Sequence, residues 1–229
     1  HYFVLIFATV AALALIREWQ MSYAELIPYA TPGFIAFGIF ALPAGWIADK
    51  WNRHHLMVIF FIGIGLSSMA TAISETPLQM GLGLFAIGIF AAIYHPVGLA
   101  LVVEGHLKTG VILAINGIWG NFGVGVAAAV TGILIDFMGW RAAFVIPGLI
   151  SVGIGIIYYV TRRIAHLPET SEVTNSSSTE YQTLSVKQYK NNIVHIFSII
   201  FFSSAIGGVI YQSTTFALPK VFDERLTDI

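Results

Sequence analysis

Cysteine is absent from the chain, which removes disulfides, thiolate nucleophiles and thiolate metal ligands at once. Charge is scarce: Asp, Glu, Lys and Arg make up 10% of 229 residues, and the formal net charge is −1. So even a balance gives no electrostatic footprint for nucleic acid, and no such partner is expected. The sequence contains no Gly-rich phosphate loop with its Lys, no nucleophile elbow and no His-Glu-x-x-His. Nothing therefore points to an enzyme, a cofactor or a metal. An initiator Met is lacking too, and the first residues already lie inside an apolar run. That run has neither a basic start nor a small-residue cleavage site, so a signal peptide does not fit. The chain reads as a fragment of a longer protein.

What is present is hydrophobic. Apolar residues reach 57% and mean hydropathy is +0.81, which excludes a soluble globular domain. Seven apolar runs occur, at about 1–16, 27–48, 55–74, 78–103, 110–135, 142–160 and 193–218. Each approaches the roughly 20 residues that a spanning helix needs. Open sheets would leave backbone groups unpaired in lipid, so the expected class is an all-α membrane protein. The connections near 49–55, 104–109 and 161–192 carry seven Lys and Arg, and the opposite side carries four. That asymmetry puts the N-terminus in the cytoplasm of a multi-pass inner-membrane protein. Residues 1–160 form the expected bundle and 193–229 begin a second one. The polar segment 161–192 links them, with 181–192 read as a short surface helix.

Between the second and third runs lies Gly45-Trp46-Ile47-Ala48-Asp49-Lys50-Trp51-Asn52-Arg53-His54. Gly45 permits close helix approach, Asp49 can meet the positive end of a helix, and Asn52 suits left-handed turn geometry. Lys50 and Arg53 hold the turn on the cytoplasmic side. The stretch resembles the G-x-L-a-D-r-x-G-r-k signature of the major facilitator superfamily through Gly45, Ala48, Asp49, Lys50 and Arg53. Asn52 stands in place of the second Gly, and His54 in place of a cation, which makes that charge depend on pH. The resemblance implies a six-helix bundle of two inverted three-helix repeats, followed by the first helix of the second bundle. It also implies that Gly45, Asp49, Lys50 and Arg53 gate the cytoplasmic side.

Polar residues inside the runs are the site candidates. His95 stands in Tyr94-His95-Pro96-Val97-Gly98, about 7 Å to the cytoplasmic side of mid-membrane. Gly88, Ala91, Ala92 and His95 share one face of an ideal helix. Its imidazole titrates near roughly 6.5 when unperturbed, so it can bind substrate, carry a coupling proton, or both. Asn116, Trp119 and Asn121 follow in the fifth run, and Gln212 marks a polar end of the seventh. Tyr94 to Gly98, Asn116 to Asn121 and Gly139 to Phe144 are similar to the fosmidomycin-resistance branch of the superfamily. That resemblance implies a proton-driven exporter of a drug-like or small polar solute, working as a monomer by alternating access. The fifth run keeps Gly120 and Gly125 of the family's antiporter motif but has Asn121 where Pro is expected, and Leu84 stands near the place of the Arg that many proton-coupled exporters carry. A proton symporter importing a small organic acid, and a non-transporting membrane sensor of the same fold, are the alternatives. Thr31-Pro32-Gly33 predicts a kink, Trp140 suits the membrane interface, and Asp136 with Arg141 reads as an anchor.

Overall fold

The computed structural model describes residues 2–105 and 108–164 in two stretches, with scattered positions between 202 and 225. Among the described residues the regular elements are all helical. Rod α1 joins Tyr2–Val10, a π-helical turn at Ala11–Leu15 and Ile16–Glu18. Rod α2 joins Tyr23–Leu26, a 3-10 turn at Ile27–Ala30 and Thr31–Lys50. Rod α3 is Arg53–Thr71, and α4 joins Pro77–Ala91, a π-helical turn at Tyr94–Gly98 and Leu99–Val103. Rods α5 and α6 are Thr109–Met138 and Trp140–Ile164. Rods α2 to α6 are each long and apolar enough to cross a bilayer. They match runs two to six of the sequence. The structure extends α6 through Arg162 and Arg163 to Ile164, beyond the boundary expected at 160. The seventh run and most of the linker lie outside the continuously described residues.

Local chemistry sets the boundaries. Ser22 and Glu25 form a reciprocal capping box at the start of α2, and Thr76 caps α4 by accepting from the Gln79 amide. Both caps satisfy backbone donors that have no partner within the helix. A kink is expected at Thr31-Pro32-Gly33; the departure from α-helical hydrogen bonding lies one turn earlier, in the 3-10 segment at Ile27–Ala30. Pro28 and Pro32 each stand in the first turn of their own segment, where a missing N–H costs nothing. Asn52 differs from expectation. Its φ is −67°, and its side chain accepts from the amides of His54 and His55, so it is an ordinary N-cap of α3. The non-glycine residue with positive φ among those described is Gln20, at 51°, in the α1–α2 turn.

The packing repeats itself. Rod α2 lies on α4 as α1 lies on α5, α3 touches α4 as α6 touches α1, and α3 and α6 pack on each other. Exchanging the first three rods for the last three maps this pattern onto itself, as two inverted repeats require. The chain carries a matching sequence repeat that single-run inspection overlooks. Gly45 and Asp49 recur 87 positions later as Gly132 and Asp136, with Gly139 and Arg141 at the places of Asn52 and His54.

The α3–α6 seam is tied at three points. His54 Nδ1 lies 2.6 Å from the Tyr158 hydroxyl, Ser151 donates to the Phe61 carbonyl at 2.8 Å, and Ser68 donates to the Phe144 carbonyl at 2.7 Å. The contact advances seven residues on α3 as it retreats seven on α6, the step of two antiparallel helices packed side by side. Glycines let the backbones meet: a Cβ at Gly148 would sit 2.8 Å from the Gly65 carbonyl oxygen. Without a hydrophobic drive between helices in lipid, such close approach and the serine hydrogen bonds hold the seam. Apolar side chains on the outside, such as Leu42 at 81% and Phe137 at 84% exposure, then face the bilayer or other protein.

At the end of the bundle where α1 meets α6, Glu18 accepts from the indole N–H of Trp140. The same carboxylate pairs with Arg141 at 3.3 Å, and the Arg141 guanidinium lies 4.4 Å over the Trp140 ring. This corrects two expectations. Trp140 is 4% exposed and belongs to the core, and Arg141 pairs with Glu18 across the bundle. Glu18→Ala should lower stability by about 1–3 kcal/mol, because it leaves a buried indole N–H unsatisfied. Arg141→Ala breaks a half-exposed pair and should cost about 1 kcal/mol or less. Thermal unfolding of the two variants in detergent checks the order; equal losses would show that the indole bond adds nothing.

Candidate functional site

Pro96 makes the site irregular. Lacking an N–H, it cannot donate to the preceding turn, and α4 widens into the π-helical turn Tyr94–Gly98. Such turns redirect side chains. Gly88, Ala91 and Ala92 are buried while His95 is exposed, yet Gly88 and His95 both meet residues of α2. Gly88 packs against the Gly33 carbonyl and Ala36 of α2, and Gly45 meets Pro96 at an ordinary 3.5 Å from its notional Cβ. Tight packing beside the site therefore falls at Gly88, and Gly45 lies next to the turn that carries His95.

Side chains from four rods converge on this turn. The Tyr94 hydroxyl donates to Asn116 Oδ1 of α5 at 2.7 Å. Phe60 of α3 lies against the Tyr94 ring, with centroids 5.5 Å apart. The Tyr94 ring also leans back over Gly98, whose notional Cβ would come within 2.9 Å of it. His95 meets Phe37 of α2 edge-on at 5.6 Å and Tyr94 at 5.8 Å. The result is an imidazole and an amide set among three aromatic rings. With its oxygen engaged by Tyr94, Asn116 presents its NH₂ group as a donor.

The remaining candidates divide. Asn121 lies five residues past Asn116, about 140° around the helix from it, and is exposed. Trp119 is 69% exposed and meets Phe122 edge-on at 6.1 Å. The structure brings neither together with His95. Gln212 lies outside the described residues. At the α2–α3 corner, Asp49 pairs loosely with Arg53 at 3.9 Å, and Lys50 Nζ lies 4.0 Å over the Trp46 ring. Asp49 is 76% exposed. Phe37 and Phe60 are part of the site but carry no signal in the sequence, where they read as two more lipid-facing or core phenylalanines. Among the described residues no group of three metal-binding side chains exists.

A bilayer-sized helical bundle built from two inverted three-rod repeats, with polar side chains gathered at a broken helix, defines an α-helical membrane protein. The sequence profile of the Major Facilitator Superfamily matches residues 2–227, and the chain belongs to that superfamily. It is 27% identical over 146 residues to a niacin transporter of Acinetobacter baylyi, covering 62% of this chain and 33% of that protein. A gallate transporter of Pseudomonas putida is also 27% identical over 146 residues, covering 62% of this chain and 32% of its own. A quinolone resistance protein of Staphylococcus aureus is 31% identical over 119 residues, 50% of this chain and 25% of its own. The matched part thus spans a third or less of each of these relatives.

Proposed function

We propose that this chain forms the first bundle of a secondary active transporter in a bacterial inner membrane, with a cytoplasmic N-terminus and a monomeric working unit. It moves a small molecule by alternating access, and His95 carries the coupling proton. The observation behind this reading is the convergence of His95, Tyr94 and Asn116 on one irregular turn at membrane depth, where ionisable groups are costly unless they work. Proton-driven export of a drug-like or small polar solute is the direction we propose. The likeness to a quinolone resistance protein supports it.

A second reading is uptake of a small organic acid with protons. It is favoured by the relatives named for niacin and gallate, and by a site whose amide and imidazole can donate to a carboxylate. Counterflow in membrane vesicles separates the two. An exporter accumulates solute in inverted vesicles when their interior is acidified, and a symporter accumulates it in right-side-out vesicles under an inward proton gradient. Quinolone and nicotinate as labelled probes cover both classes. Uptake of neither probe under either gradient would count against both readings.

At the α2–α3 corner, we propose that Asp49 latches onto the second bundle when the cytoplasmic side is closed. In the full-length protein Asp49→Asn should slow turnover roughly tenfold, which corresponds to about 1.4 kcal/mol, while leaving solute binding intact. Near-normal transport by this variant would remove the latch.

A further inference from the structure

The exposed face of α2 changes character along its length. Ile35, Ile39, Leu42 and Trp46 are each more than half exposed, and their spacing of three and four residues puts them on one stripe of the rod. Lys50 continues the stripe one turn past Trp46. From Pro28 to Trp46 the rod rises about 27 Å, close to the roughly 30 Å of a bilayer's hydrocarbon layer. Trp46 therefore falls where acyl chains give way to headgroups, and the Lys50 backbone lies about 6 Å beyond it. The Lys50 ammonium reaches back to 4.0 Å over the Trp46 ring, an attraction of cation for ring face. Among the described residues Lys50 forms no ion pair. Asp49, about 100° around the rod from it, pairs with Arg53 instead. Trp51, at the turn, is also more than half exposed and stands beside His55, with ring centroids 5.9 Å apart. The fold does not require this arrangement. At the opposite corner, 87 positions later, Ile133 and Phe137 occupy the places of Trp46 and Lys50, and both are exposed.

We propose that the Trp46–Lys50 corner binds the headgroup of an anionic phospholipid. The stripe from Ile35 to Leu42 takes the acyl chains. The Trp46 indole supplies an amphipathic ring at headgroup depth. The Lys50 ammonium supplies an uncompensated charge and three N–H donors for phosphate oxygens. A zwitterionic headgroup carries its own cation beside the phosphate and so gains less from Lys50. The occupant is lipid because the stripe matches a bilayer in order: apolar side chains, then an interfacial aromatic, then a cation. Asp49 keeps its own side of the rod, so lipid at Lys50 does not compete with a second bundle at Asp49. The inference needs only that the chain lies in a membrane. It holds whatever the solute, the direction of transport, or the side of the membrane that this corner faces.

The test uses the full-length protein in nanodiscs of phosphatidylcholine and phosphatidylglycerol in equal amounts. One lipid or the other carries brominated acyl chains, which quench tryptophan fluorescence on contact. The Trp46 share of the quenching is the difference between a protein with Trp46 and the same protein carrying Trp46→Phe. Brominated phosphatidylglycerol should quench that share with about fivefold the apparent affinity of brominated phosphatidylcholine, the factor that one cation near an anionic surface gives. Lys50→Gln should bring the two lipids level, and Lys50→Arg should keep the preference. Equal quenching by both lipids in the wild-type background, or a preference that survives Lys50→Gln, would overturn the site. So would a Trp46 that neither lipid quenches, because protein then covers this face. No transport is measured, so the outcome stands apart from the success or failure of the transport reading.

Discussion

His95→Gln is expected to reduce proton-driven transport at least roughly tenfold, or about 1.4 kcal/mol or more in the barrier, and to flatten its dependence on pH. Glutamine keeps hydrogen-bonding capacity and comparable bulk but cannot take a proton. It should therefore fill the space beside Phe37 and Tyr94, though the ring contacts themselves are lost. A solute exchange assay without a pH gradient separates binding from coupling, and exchange should persist where net driven transport fails. Transport that survives in His95→Gln with an unchanged pH profile would end the coupling role of this residue.

The second large effect is structural. Gly148→Val should destabilise the bundle by about 1–3 kcal/mol, the usual range for overpacking a dense interior. The new side chain would meet the Gly65 carbonyl oxygen at 2.8 Å and the Met69 side chain at 2.9 Å. Backbone cannot move aside without pulling apart the Ser68 and Ser151 hydrogen bonds on either side of the contact. Gly153→Val is the control on the same helix, because a Cβ there meets nothing within 4 Å. Thermal unfolding in detergent should separate the two variants. Equal midpoints would show that the α3–α6 seam tolerates spreading.

A pattern of apolar runs reports spans because lipid leaves a backbone no choice but to bond with itself. Runs two to six of the sequence therefore became α2 to α6 with ends shifted by a few residues. The corner at Gly45 to Arg53 was legible for the same kind of reason: polar residues cannot stay in the core, so they mark where the chain turns. The site was only half legible. His95 and Asn116 announce themselves as polar residues in apolar runs, and so does Asn121, but sequence gives no angle between helices. Only the packing separates Asn116, bonded to Tyr94, from Asn121 on the other side of α5.

Composition and hydropathy by themselves determined that this is a membrane helical bundle, because the cost of an unpaired amide in lipid does not depend on which helix lies beside it. Tertiary structure alone decided the rest. It paired Glu18 with Arg141 and Trp140, set Phe37 and Phe60 beside the polar turn, and joined α3 to α6 through glycines and serines. Those choices rest on distances between groups more than thirty residues apart in the chain, and such distances exist only once the rods have packed.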